Sequence, residues 1–497
     1  MSQIRTARHD IGSLVQSMSE DVARRIDART GASSDERGTT EGQRPNVNHP
    51  VVAAAARVAE SLEGKPKGAA PAAPPSPAAG AAPASAAAAA STAAGAAAAP
   101  DRVVKTVEEC ADLAARVLEA KLKRAPDAEE LANELQFSTC DPEWASTIPD
   151  YLDYFGVDGK KKPIPYVRYK SLDDFVLPTL PANATVALVG DWGTGTVDAR
   201  RILEQVARHR PDVLIHLGDI YYSGTPDECQ RYFLDVVDEV FDRRSRPIPV
   251  YTLTGNHDMY CGGVGYYGLL PKLNPSPPFS AAQAQGASYF ALRSTDGAWQ
   301  LLAMDTSLHD HDPFAGDKDV TYLDPDEEAW HIDKVRRFTA QGGRTVLLSH
   351  HQLFSALEAI GDYRSRPADQ QAINPRLFAT FQKLQQAGDV AAWFWGHEHK
   401  LGIYQPWRGL AKGRCIGHGA IPTFRVDDPY KILDGLGADR PQPVADPADP
   451  SLPLQPAADD QVYAHGFAIL QLDDRDRSAT ASYYQETSDQ AMWVERL

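Results

Sequence analysis

A chain of 497 residues, 43% of them hydrophobic and with a formal net charge of −17, is long enough to bury a sizeable core as one large or two ordinary domains. The acidity argues against a partner gripped through many phosphates, such as duplex DNA, yet allows a small phosphorylated molecule where bound cations reverse the field inside a cleft. Five scattered cysteines (Cys110, Cys140, Cys229, Cys261, Cys415) without a CxxC pair indicate neither a disulfide framework nor a thiolate zinc site, and read as free thiols in a reducing compartment.

The N-terminus, MSQIRTARHDIGSLVQSMSEDVARR, lacks the apolar run of a signal peptide, and no stretch has the length of a membrane-spanning helix. A soluble, cytoplasmic protein with no membrane partner is expected, with signal-independent export left open. One short amphipathic helix is expected around Ile11 to Ile26. Residues 68–100 are Ala/Pro low complexity, so 1–100 is expected to be a disordered tail, with a protein partner as its conceivable role. Residues 101–180 read as a helical and irregular lead-in: apolar residues recur at helical spacing from Val103 to Lys123, and a second helical stretch follows Asp127. Segment 141–180, with Trp144, Tyr151, Tyr154 and Phe155, reads as packing against the domain beyond it.

From 181 to 497 the texture is that of an α/β catalytic domain. Five apolar runs of strand length (ATVALVG, DVLIHLG, VYTLTG, RTVLLS, AAWFWG) each stop at Gly or Ser, followed directly by Asp, Asn or His. Helical patterns lie between them: VDARRILEQVARHR, PDECQRYFLDVVDEVF, DEEAWHIDKVRRFTAQ and NPRLFATFQKLQQ. HGFAILQLD and TASYYQE, after a Pro/Asp-rich loop, read as a second sheet packed on the first. The expected fold is a two-sheet β-sandwich flanked by helices, with its ligand site beyond the strand ends.

The residues at those ends are Asp191 (GDWG), Asp219 and Tyr222 (GDIYY), Asn256 and His257 (GNHD), His350 (LLSH), and His397 and His399 (GHEH). Singly, each has a structural explanation, an Asp after Gly as a turn or cap and a histidine as a satisfied polar group. Together they set oxygen and imidazole donors at five successive strand ends, on one rim of the sheet. Such a set without thiolates suits Mn, Fe or Zn.

The series GD…GD…GNHD…H…GHxH resembles the calcineurin-like metallophosphoesterases over roughly residues 185–425. That superfamily's first motif is DxH, but Gly193 stands in place of its histidine, while Tyr222 lies three residues after Asp219. This pairing resembles the purple acid phosphatase branch. The resemblance implies that Asp191, Asp219, Tyr222 and His399 hold one ion, and that Asp219, Asn256, His350 and His397 hold another. Asp219 would bridge a pair of Fe with Fe, Mn or Zn, and His350 is preferred to His351. It implies hydrolysis of a small phosphomonoester or phosphodiester by hydroxide generated between the ions, with His257, Asp258 and Glu358 as candidate catalytic residues.

One departure bears on the substrate. The small members of that branch carry a Glu-His pair after the fourth motif, and here Glu358 is followed by Ala359. His351 or the loop residues His309 and His311 are conceivable replacements, and His351 and His418 conceivable outer-shell groups. The loop MYCGGVGYYGLL offers Tyr260, Tyr266 and Tyr267 as a substrate wall or as filling beneath a covering loop. A non-catalytic binding module on the same fold, or a nucleotide phosphodiesterase or nuclease, are the alternatives. The absence of a Lys/Arg stripe speaks against the nuclease.

Overall fold

The computed structural model describes Tyr154 and residues 162–310, 320–423, 425, 428–459, 462–486 and 488–497. The tail, the helices expected ahead of 140, and Trp144, Tyr151, Phe155 and His311 lie outside the described residues. No helix among the described residues is long and apolar enough to cross a membrane.

Two six-stranded mixed sheets form the centre. Strands β1 (Thr185–Val189), β2 (Val213–His216) and β3 (Val250–Thr252) run parallel, and β10 (Gly466–Asp473), β11 (Ser478–Gln485) and β12 (Ser488–Arg496) extend them, giving the order β12-β11-β10-β1-β2-β3. The second sheet holds β4 (Phe290–Arg293), β5 (Trp299–Ala303), β6 (Arg344–Leu348), β7 (Val390–Trp395), β8 (Leu401–Ile403) and β9 (Gly413–Ile416), in the order β4-β5-β6-β7-β9-β8.

The expected sandwich is present, but its composition is corrected in one respect. The C-terminal strands do not form a sheet of their own; β10 pairs antiparallel with β1 from Thr185↔Gln471 to Leu188↔Ala468. The partner sheet is built around β6 and β7. The strand ends carrying the motif residues therefore belong to two sheets rather than to one rim.

Period-two burial explains the layers. Val186, Leu188, Val213, Ile215, Ala468 and Leu470 face Leu301, Ala303, Val346, Leu348, Ala392 and Phe394 between the sheets. The alternate residues Ala187, Val189, Leu214 and Ile469 pack outward with Ile202 and Leu203 of α1 (Val197–Arg208). On the other outer face, Leu302, Leu347 and Trp393 pack with α6 (Pro325–Thr339) and α7 (Pro375–Ala387), through Trp330, Val335, Leu377 and Phe381. Strands buried on both faces read as continuous apolar runs, which is why β1, β2, β6 and β7 stand out in the sequence.

Local chemistry sets the helix starts. Thr196 caps α1 by accepting the Ala199 N–H at 3.2 Å. Asp324 and Asn374 cap α6 and α7, each followed by proline at the first helical position. Shorter helices α2 (Pro226–Glu228), α3 (Asp235–Val240), α4 (Asn256–Met259) and α5 (Val264–Leu273) lie between β2 and β4, with a π-helical turn, Cys229–Leu234, joining α2 to α3. The segment 162–180 runs along the second sheet, Val176 bridging Ala291 and Leu180 bridging Ser294.

The two sheets are also bolted by charge. Arg414 on β9 grips Glu495 on β12 through two nitrogens at 2.5 and 2.7 Å, and Tyr483 on β11 donates to the same carboxylate at 2.8 Å. Burial pushes the Glu495 carboxyl up, but these donors overcome it and hold the pKa at about 2. Lys412 Nζ pairs with the same carboxylate at 2.9 Å, so without Arg414 the charge keeps Lys412 and Tyr483 but loses its two-nitrogen grip. Arg414→Ala is expected to lower stability by about 1.5–3 kcal/mol in urea unfolding, and an unchanged midpoint would show the pair to be dispensable.

Candidate metal centre

The loops after β1, β2, β3, β6 and β7 converge at the shared carboxyl-end edge of the two sheets. They bring together Asp191, Asp219, Asn256, His257, His350, His397 and His399, all of them buried. Four of these residues have left-handed backbone, Asp191 (φ 54°), Asp219 (φ 74°), His397 (φ 68°) and His399 (φ 28°). Glycine would be easier in such positions; a side chain is kept there because its donor atom is needed.

Two clusters share one carboxylate. In the first, the Tyr221 hydroxyl lies 3.1 Å from Asp191 Oδ1, 3.0 Å from Asp219 Oδ2 and 3.0 Å from His399 Nε2. His399 Nε2 is 3.5 Å from Asp191 Oδ1. In the second, Asn256 Oδ1 lies 3.0 Å from both His350 Nε2 and His397 Nδ1, which are 3.2 Å apart. Asp219 Oδ2 links the two sets, 3.5 Å from His350 Nε2.

This arrangement fits a pair of cations. An ion held at about 2.0–2.2 Å keeps neighbouring ligand atoms about 3.0–3.5 Å apart, which is the spacing seen. His350 Nδ1 faces the Leu217 carbonyl at 3.1 Å, so it carries the proton and Nε2 turns a lone pair inward. The Asn256 amide nitrogen donates to the Tyr260 hydroxyl at 2.6 Å, which turns its oxygen inward as well. Burial pushes the Asp191 and Asp219 carboxyls up, Asp219 further because it faces Asp191 and Asp258. Burial and neighbouring imidazoles hold His350 and His397 well below the ordinary range. Desolvated carboxylates and inward lone pairs are costly alone, and cations among them reverse that balance.

The other candidates have distinct places. His257 Nδ1 donates to the Tyr222 carbonyl at 2.7 Å, leaving Nε2 turned toward Asp219 Oδ2 at 4.0 Å. Asp258, expected among the catalytic residues, has its carboxylate engaged by the backbone. Its carboxylate accepts the backbone N–H groups of Gly255 (2.7 Å), Asp219 (3.0 Å) and Ile220 (3.2 Å), tying the second motif to the third. Glycine at 255 is required by that tie, since a Cβ would meet Asp219 Oδ1 at 1.9 Å.

Glu358 is paired with Lys400. His351 is held by Thr306 Oγ1 (3.0 Å) and Asp310 Oδ2 (2.9 Å), its ring 4.4 Å from that of His397, and its donor atom groups with those of His350 and His397. His309 stacks on Tyr322 at 3.9 Å. His418 is buried against Gly466, and burial holds its imidazole down at about 3.

Of the tyrosines, Tyr260 orients Asn256. Tyr266, expected either as a substrate wall or as filling, is fully buried in the core and donates to the Thr252 carbonyl at 2.7 Å. The phenol among Asp191, Asp219 and His399 belongs to Tyr221, which the sequence reading passed over. Tyr222 is buried, its N–H donating to Glu228 and its carbonyl accepting from His257. GDIYY offers two adjacent phenols, and spacing alone does not say which turns inward. Glu228 was also missed; it accepts the Ser223 and Thr225 N–H groups at 3.2 and 2.9 Å and so closes the loop after Asp219.

Two mixed sheets lie between helices, with buried oxygen and imidazole donors of a kind that can hold metal ions where their strands end. Residues 184–401 match the family described as calcineurin-like phosphoesterase. Tartrate-resistant acid phosphatase type 5 of Homo sapiens is 35% identical over 155 residues, 27% of this chain and 46% of the human protein. The chain thus spans about half the length of that relative. The Mus musculus protein of the same name is 25% identical over 243 residues, 45% of this chain and 68% of its own. Among solved structures, GAP50, the anchor in the inner membrane complex of Plasmodium, covers 63% of this chain and 88% of its own at 11% identity and a TM-score of 0.41.

Gly193 shows why the superfamily's DxH histidine has no place here. A Cβ at 193 would lie 2.9 Å from the Asp219 carbonyl oxygen and 3.0 Å from Ile220 Cα, both backbone atoms. Gly193→His is therefore expected to lower bound metal and to destabilise by about 1–3 kcal/mol, read by elemental analysis and thermal unfolding. Tighter metal binding in the variant would contradict this packing argument.

Proposed function

We propose that this chain is a dinuclear metal-dependent hydrolase of phosphate esters, acting on a small phosphomonoester or phosphodiester. The observation that carries the reading is the pair of inward-facing donor sets sharing Asp219 Oδ2. Asp191, Asp219, His399 and a phenol would hold one ion; Asp219, Asn256, His350 and His397 would hold the other. Two bound cations would supply Lewis acidity and bring the pKa of water from 15.7 to near 7.

The chain's own residues supply orientation and proton handling. Asp258 fixes the loops of Asp219 and Asn256 relative to each other through three backbone donors. The Leu217 carbonyl sets the His350 tautomer, and Tyr260 sets the face of Asn256. His257, its Nδ1–H anchored on the Tyr222 carbonyl, presents Nε2 beside the bridging carboxylate. As an imidazolium, with Nε2 protonated too, it would hold a proton for the departing oxygen or donate to a phosphoryl oxygen, a role worth about 10²–10⁴ in rate. The net charge of −17 and the small, buried donor set favour a compact substrate over a polynucleotide.

Hydrolysis of p-nitrophenyl phosphate and its bis-ester, measured beside metal content, tests the reading. Asp219→Ala is expected to lose metal and to lower turnover well beyond the about 10–100-fold cost of an outer-shell change. Full activity in Asp219→Ala would end the proposal.

The metal pair, Fe with Fe, Mn or Zn, turns on the phenol. If iron is bound through Tyr221, the purified protein is coloured, and Tyr221→Phe bleaches it while Tyr222→Phe does not. Bleaching confined to Tyr222→Phe would assign the phenol to the neighbouring residue instead. A colourless, active protein would assign the site to Mn or Zn.

A further inference from the structure

Glu327 lies in the first turn of α6, fully buried although a carboxylate there is costly. Its oxygens have three partners. Oε1 accepts the Asp305 N–H at 2.8 Å and faces His331 Nε2 at 2.9 Å, and Oε2 accepts the Tyr166 hydroxyl at 2.7 Å. Asp305 stands just beyond β5, where the sheet's own ladder ends, so its amide needs an acceptor from elsewhere.

Asp305 in turn organises two motif loops. Its Oδ1 accepts the Thr254 hydroxyl at 2.8 Å and the N–H groups of Ser307 and Leu308 at 2.9 and 3.0 Å. Ser307 Oγ donates to the Thr254 carbonyl at 2.8 Å, two residues before Asn256. Thr306 Oγ1 accepts the N–H of His351 at 3.0 Å, beside His350. The contacts thus reach the loops of Asn256 and His350, both assigned above to the second ion. The loops of Asp191 and His399 are tied from another side, by the Ala420 N–H on the Asp191 carbonyl at 3.2 Å and by Thr423 on the His399 carbonyl at 2.7 Å.

The segment ahead of the sheets is fastened to the same helix start. Arg168 grips Asp324 through two nitrogens at 2.6 and 2.7 Å, and the Tyr169 N–H donates to the Tyr289 hydroxyl at 3.0 Å. Tyr166 stacks on Tyr289 with ring centres 5.9 Å apart.

We propose that Glu327 is a positioning residue for the second ion, and that Tyr166, from the lead-in segment, completes its hold. This rests on the two-ion reading above. A residue that merely filled the core would affect both ions alike through global stability; one that sets the loops of Asn256 and His350 affects a single ion.

The test is Mn²⁺ binding by calorimetry on the full chain, with turnover followed against added Mn²⁺. Wild type is expected to bind two equivalents. In Glu327→Ala one equivalent is expected to weaken about 10–100-fold with the other unchanged, and excess Mn²⁺ to restore most of the turnover. Glu327→Gln, which keeps an acceptor for the Asp305 amide, is expected to recover most of the affinity. Tyr166→Phe, a milder change should Glu327→Ala not fold, is expected to weaken the same equivalent by a smaller factor. Two equivalents of unchanged affinity in Glu327→Ala and Tyr166→Phe, or equal weakening of both, would overturn the proposal. A wild type that binds no pair of ions would overturn the two-ion reading itself, and this inference with it.

Discussion

Asp219 and Asp191 are carboxylates sealed from water at the meeting point of two sheets, each 3.0–3.1 Å from the same Tyr221 hydroxyl. Their mutual repulsion and lost hydration oppose this placement, and the surrounding structure is arranged to hold them there. Backbone amides do much of that work: the His397 N–H serves Asp191 Oδ2 at 2.8 Å, and the His257 N–H serves Asp219 Oδ1 at 3.0 Å. Asp191 Oδ1 and Asp219 Oδ2 face the Tyr221 hydroxyl, where the proposed cations would sit. Strained backbone at four site residues and the Gly255 approach follow from the same demand.

The two-sheet architecture serves that demand directly. Parallel strands end at a common edge, and two sheets face to face give two such edges at close range. The first supplies Asp191, Asp219 and Asn256; the second supplies His350, His397 and His399. Neither sheet alone carries the full donor set proposed for either ion. The tie from Arg414 to Glu495 and the apolar layer between the sheets therefore matter to the site, since sliding one sheet over the other would separate donors that lie 3.0–3.5 Å apart.

Much of this was legible in the sequence because a buried strand announces itself and its last residue must emerge at the edge. Asp191, Asp219, Asn256, His350, His397 and His399 were all read on that ground, and the structure brings them together. Other features depend on distances that no local pattern carries. Strands β4 and β5 went unread, and with them the true partner sheet, so the C-terminal strands were assigned to the wrong layer. Tyr221 and Tyr222 are neighbours, and only the turn of the loop chooses between them. Asp258 looks like a reacting group by its place in GNHD, yet its oxygens are taken by backbone amides. Glu327 reads as an ordinary residue of a helix start, and its partner Tyr166 lies 161 positions away.

The central claim is that two cations flank Asp219, and anomalous diffraction from crystals of the metal-loaded protein tests it most directly. Two anomalous peaks about 3.5–4 Å apart, one beside Asp191 and His399 and the other beside Asn256, His350 and His397, are the expected result. A single peak, or none at Asp219, would contradict the account.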